Sequence, residues 1–250
     1  MTNPAYSLVR DFEPSPPQRF CVDRHYLLYA VRGAMRLEYD ATSWTLPPAR
    51  AALIRAGEPI EVTIQQPMTT ASVLFDSGFV APPTSALTVI DMTPLARALV
   101  TECSQWVDEQ ASLDDYAIVM FRALAATAWA LAERPSRTHM PTGRSAEVRR
   151  ALALTADQMA DQPRFDAIAA DVGLAPRSLA RRFEQELGMT WRGALRRLRV
   201  LGSIELLAGN NATITQIAMD VGYSSLSAFE SAFRDLVGKT PTEYRSGFEP

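Results

Sequence analysis

One hexapeptide is written twice near the C-terminus of this chain: Ile168-Ala169-Ala170-Asp171-Val172-Gly173 returns as Ile217-Ala218-Met219-Asp220-Val221-Gly222. The likeness runs on past the glycine, with Leu179 and Phe183 answering Phe229 and Phe233, and Gly188-Met189-Thr190 answering Gly238-Lys239-Thr240. Each copy predicts a short amphipathic helix ending at a glycine C-cap, a tight turn, and a second helix whose apolar residues lie four apart on one face. That is a helix-turn-helix unit. Ile168, Val172, Leu174, Leu179 and Phe183 are the packing residues of the first unit, and Ile217, Val221, Tyr223, Phe229 and Phe233 those of the second. Gly173 and Gly222 are turn residues, because glycine reaches positive φ at little cost.

Two such units in tandem put two reading helices on one side of a DNA duplex if their separation matches the helical repeat of about 34 Å. The segment between them has the right form. Trp191, Ala194, Leu195, Leu198, Leu201, Ile204, Leu206 and Leu207 recur at three- and four-residue steps, which predicts one helix of about five turns over residues 190–208. At a rise of about 1.5 Å per residue such a helix is nearly 30 Å long.

From residue 147 to residue 245 the chain resembles the AraC/XylS family of bacterial transcription regulators. The resemblance rests on Leu195-Arg196-Arg197-Leu198-Arg199 leading to Glu205-Leu206-Leu207, on Ile214-Thr215-Gln216-Ile217-Ala218, and on Val221-Gly222-Tyr223. It continues through Ser227-Ala228-Phe229, Ala232-Phe233-Arg234, Gly238-Lys239-Thr240-Pro241 and Tyr244-Arg245. It implies a transcription regulator, activator or repressor, with double-stranded DNA and RNA polymerase as partners, controlled by a small-molecule effector or by dimerisation with a second copy of the chain; the two cysteines and the N-terminal composition make the cytoplasm the expected location. It also implies base contacts at Arg177, Ala180 and Arg181, with Leu226, Ser227, Ala228 and Ser231 at the equivalent positions of the second unit.

Charge supports a DNA partner locally. Residues 144–250 hold 14 Lys plus Arg against 13 Asp plus Glu, but the segment from Arg177 to Arg199 carries seven arginines against Glu184 and Glu186. If about five of the seven meet phosphates, log K should fall against log salt with a slope near −4 to −5. Arg177 and Arg181 lie four apart on one helix face, and a guanidinium bonds bidentately to guanine N7 and O6. Arg182 is turned about 100° away, toward a phosphate or an acidic neighbour. Leu226, Ser227, Ala228 and Ser231 can touch thymine methyls or make single hydrogen bonds, so the first unit should carry more sequence information.

The N-terminal half is a different object, with 11 Arg and no Lys against 15 acids in residues 1–143. Apolar runs at 26–31, 35–39, 43–46, 51–54, 60–64 and 71–75 are cut by Gly and Pro, which predicts a small antiparallel sandwich or barrel. It is similar to the cupin-type effector domain of AraC relatives. Tyr26, Tyr29, Arg32, Trp44 and Arg55 are the aromatic and cationic residues that could line an effector pocket. After Thr93, one stripe of Leu95, Leu99, Cys103 and Trp106 and a second from Leu113 to Leu131 predict two amphipathic helices. The second is apolar over a wide arc that includes Met120 and Leu124, which suggests a dimer interface.

The expected architecture is therefore α+β: a cupin-like barrel with two helices over residues 1–133, a linker over 134–145, and an all-α double helix-turn-helix domain over 146–250. No catalytic residue, metal ligand or cofactor is assigned. A metal-dependent cupin isomerase or oxygenase, the competing enzyme class, needs two or three histidines with a carboxylate, whereas the chain has only His25, opening a strand, and His139, expected to be solvated in the linker. An adaptor that has lost DNA binding is the third class. Cys21 and Cys103 suggest no disulfide framework. Arg122 interrupts the longest apolar run, and neither a leader nor a membrane partner is expected.

Overall fold

The apolar runs of the N-terminal half are β-strands in the computed structural model, which describes residues 3–107, 112–136, 138–209 and 211–248. The chain divides into two units, Met1–Tyr39 with Leu46–Ser136, and Asp40–Thr45 with Arg137–Pro250.

In the first unit one antiparallel sheet has the order β1 (Ala5–Phe12), β8 (Met68–Phe75), β3 (His25–Arg32), β6 (Arg50–Ile54), β9 (Leu87–Asp91). β6 is buried on both faces and so lacks alternation: Ala51 and Leu53 join the core under the helices, while Ala52 and Ile54 face the other way. β4 (Met35–Tyr39), β7 (Ile60–Ile64) and β2 (Ser15–Phe20) pair antiparallel in a second sheet. β1, β2 and β9 went unpredicted. Pro16 and Pro17 hide β2, which pairs with β7 and carries a register shift between Ser15 and Gln18.

Helices α1 (Pro94–Cys103) and α2 (Asp115–Ala132) pack on the first sheet. Thr93 caps α1 by accepting from Ala96 N–H, with Pro94 at the first helical position, and Asp114 caps α2 by accepting from Ala117 N–H. The inward stripe of α1 is Ala96, Val100 and Cys103, so the expected stripe is displaced: Leu95 points outward and is 61% exposed. On α2 the buried residues are Ala117, Phe121, Leu124, Ala125 and Ala128. Leu124 is fully covered by the unit's own core and is unavailable to a partner, which corrects the expected dimer residue. By length and composition α2 could cross a membrane, contrary to expectation, yet it supplies core residues to the sheet. Burial pushes the Cys103 thiol up to about 12, leaving it protonated at neutral pH.

The second unit begins with a ribbon. Most of β5 (Thr42–Leu46) belongs to it and pairs antiparallel with β10 (His139–Pro141), Trp44 facing His139. The expected linker therefore contains a strand, and Met140 is buried in the unit's core. His139 is half-buried rather than solvated, its ring 6.2 Å from that of Trp44. The helices that follow are α3 (Ala146–Asp157), α4 (Phe165–Asp171), α5 (Pro176–Leu187), α6 (Trp191–Gly209), α7 (Ile214–Asp220), α8 (Leu226–Val237) and α9 (Pro241–Ser246), with a short 3-10 turn at Met159–Asp161.

Candidate nucleic-acid interface

The sequence repeat is a repeat of hydrogen bonds. After α4, Leu174 N–H donates to Ala169 C=O and Gly173 N–H to Ala170 C=O; after α7, Tyr223 N–H donates to Ala218 C=O and Gly222 N–H to Met219 C=O. Both are Schellman turns with a positive-φ glycine at the same place, φ +71° at Gly173 and +89° at Gly222. Each turn delivers the chain to a second helix, α5 or α8, and both of these end on left-handed glycines, Gly188 and Gly238. The threonine two residues later starts the next helix: Thr190 Oγ1 accepts from Gly193 N–H, and Thr240 forms a capping box with Glu243.

Burial orients the two reading helices. Leu179, Phe183 and Leu187 face inward on α5, and Phe229, Ala232 and Phe233 on α8. Arg177 and Arg181 therefore stand exposed on α5, with Ala180 partly covered. On α8 the residues Leu226, Ser227, Ala228 and Ser231 are exposed. α6 is a single 19-residue helix, about 28 Å long. It is anchored by Trp191, whose ring lies 5.1 Å from Phe165 and whose Nε1 donates to Thr155 Oγ1 on α3.

The arginine stripe is less free than its count suggests. Arg182 pairs with Glu147 at 3.0 Å, so an acidic neighbour is the partner it has in the chain by itself. Arg196 pairs with Asp235. Arg197 donates to the His139 carbonyl, and burial lowers its pKa. Arg199 donates twice to the Met159 carbonyl and lies over the Tyr223 ring; burial lowers its pKa, and Tyr223 works in the opposite direction. Among the described residues, the side chains of Arg177, Arg181 and Arg192 of the seven have neither a hydrogen bond nor an ion pair, and all three are exposed.

Glu186 plays a role that its sequence position did not announce. It accepts from Arg144 N–H, Ser145 N–H and Ser145 Oγ, tying the end of α5 to the start of α3. Burial alone would raise its pKa, but these hydrogen bonds and Arg182 hold it below the ordinary value.

The five residues expected at an effector pocket do not converge. Tyr26 is buried with its hydroxyl donating to Ser72 Oγ, and Tyr29, three residues on in the same strand, is packed against the core under the helices. Arg32 is exposed, and Arg55 donates to the carbonyls of Pro83 and Thr84. Trp44 belongs to the other unit. Sequence could not show this, because period-2 alternation sorts faces only once the strand neighbours are known. Among the described residues no three His, Cys, Asp or Glu side chains are grouped to hold a metal ion.

Residues 168–247 match the family profile described as a helix-turn-helix domain. The transcriptional activator RhaS of Escherichia coli strain K12 is 34% identical over 96 residues, 38% of this chain and 34% of the relative. The chain thus spans about a third of the length of the curated relatives it matches. A solved regulator from Chromobacterium violaceum, with an AraC-type DNA-binding domain, is 30% identical over 41% of this chain and 92% of its own, with a TM-score of 0.40. ToxT from Vibrio cholerae O395 is 15% identical over 98% of both chains, with a TM-score of 0.43.

Proposed function

The chain belongs to the AraC family through its C-terminal helix-turn-helix domain, and from that premise we propose that it is a sequence-specific, DNA-binding transcription regulator. One observation carries this reading: two helix-turn-helix units with the same turn hydrogen bonds are joined by a single helix, and the first presents Arg177 and Arg181, both exposed, on its reading face. α5 enters one major groove and supplies most of the base readout, because its two arginines can each make a bidentate contact. α8 enters the next groove with a small, mostly apolar face and contributes less. RhaS is named as an activator. Activation through RNA polymerase, in the cytoplasm, is the sense we propose here. The test is selection of duplexes from a random pool by the full chain. Enrichment of a site with two conserved patches about one helical turn apart, stronger in one patch, is expected; recovery of unselected sequence would sink the proposal.

The first unit we assign to pairing of two copies. With Phe121, Leu124 and Ala128 turned into the core, α2 still exposes Tyr116, Val119, Ala126 and Ala130, with Ala123 partly covered. The steps of three and four along this outer seam are those of a helix that packs against another helix. Sedimentation of the full chain should give a dimer, and Val119→Glu with Ala126→Glu should give folded monomers that lose affinity for paired sites. A wild-type monomer at tens of micromolar would exclude it.

A further inference from the structure

A groove of about 840 Å³ opens beside the first helix-turn-helix unit. Ala180 and Glu184 of α5 line it, and so does Tyr223, the last residue of the second Schellman turn. The groove thus extends from the first reading helix, across the start of α6, to the turn of the second unit. Its apolar lining includes Phe165, Trp191 and Leu195. Four guanidinium groups line it, and they divide into two pairs. Arg196 and Arg199 are held by Asp235 and by the Met159 carbonyl. Arg164, which precedes α4, and Arg192, in the first turn of α6, are exposed, and neither side chain has a hydrogen bond or ion pair among the described residues. Asp166 and Glu184 are the acids in the lining, so the arginines outnumber them four to two.

We infer that this groove holds the sugar-phosphate backbone of the bound duplex where it crosses between the two major-groove contacts, with Arg164 and Arg192 as its phosphate ligands. The inference rests on the DNA-binding reading proposed above and adds a third zone of contact to it. Three features point to this occupant. First, a duplex that receives α5 in one major groove and α8 in the next must carry its intervening backbone past α6, the element that joins them. Second, a backbone strand is chemically two-sided, with apolar deoxyribose beside anionic phosphate, and the groove is lined both by free guanidinium groups and by aromatic and aliphatic side chains. Third, the two free arginines come from different elements, α6 and the residue leading into α4, so together they hold a strand in one register rather than a point charge. Contacts of this kind position the protein on DNA and carry no base information.

Both side chains are exposed, so Arg164→Ala and Arg192→Ala should melt like the parent. In the full chain each should lower the magnitude of the slope of log K against log salt by about 0.9, and the double variant by about 1.8, with equal loss on preferred and unrelated sequences. Arg192→Lys should keep the slope. Uncharged methylphosphonate linkages placed between the two groove segments should weaken the parent and leave the double variant unaffected. A double variant with the parent's slope and affinity, or one that loses affinity on the preferred site alone, would overturn the inference while leaving the DNA reading intact. A parent chain with no salt-dependent DNA binding would overturn the DNA reading and this inference with it.

Discussion

At the scale of single residues, neighbours decide what each charge can do. Arg181 is free and exposed on the reading face, so Arg181→Ala should cost about 1–3 kcal/mol on the preferred site and relax the choice at one base pair. Arg182, one residue on, is paired with Glu147 across two half-exposed side chains. Its replacement by Ala should leave DNA affinity and salt slope unchanged and lower stability by about 1 kcal/mol or less. Titrating preferred and unrelated duplexes into both variants at two salt concentrations separates them, and an equal loss on both sequences for Arg181→Ala would show that Arg181 touches only backbone. His25 behaves differently because it is buried. Its Nδ1 accepts from Ala56 N–H, and Nε2 is buried without a partner among the described residues, so the neutral ring is the form that the first unit holds. Burial lowers its pKa, Arg55 adds to this, and Asp76 opposes it. The unfolded chain therefore takes up the proton first as pH falls below about 6.5. Stability of the first unit should be full above that pH and decline as pH drops toward the lower folded value. Urea unfolding at pH 7.5 and pH 5 measures the loss, and a His25→Gln variant should show a flatter dependence.

At the scale of elements, two turns with the same hydrogen bonds are not equally tolerant. Gly173 has a positive φ but open space where a Cβ would go, so Gly173→Ala should cost about 1 kcal/mol from backbone strain alone. A Cβ on Gly222 would lie 2.4 Å from the Met159 carbonyl oxygen and 2.8 Å from the Arg199 guanidinium. Backbone would have to move, and Gly222→Ala should cost about 3 kcal/mol or more. Thermal melting of the pair tests the difference; equal shifts would mean that the 3-10 turn carrying Met159 yields easily. The start of α3 depends on a side chain from another helix. Glu186→Ala removes the acceptor for two backbone N–H groups and the Ser145 hydroxyl and should cost about 1–3 kcal/mol.

At the scale of the whole molecule, the helical unit takes residues from both halves of the chain. Met140 is 4% exposed in the core that holds α3 to α9, the β10 strand carrying it pairs with residues 42–44, and Thr45 Oγ1 donates to Glu205 on α6. A fragment of residues 144–250 should therefore be less stable than one of residues 138–250, by about 2–5 kcal/mol for the lost Met side chain. Equal melting temperatures would show that the core closes over the gap. Sequence alone determined the helix-turn-helix pair, the joining helix and most strands of the first unit. Those features are local: a 3.6-residue apolar period, a left-handed glycine and a period-2 strand are set by backbone geometry within a few residues. Only the tertiary structure decided which arginines are free, where the expected linker goes, and which face of α2 is left outside. Arg197 meets the His139 carbonyl 58 residues away, and Glu186 meets Arg144 42 residues away. A charge has no period, and its partner is whatever group the packed core brings within about 3 Å of it.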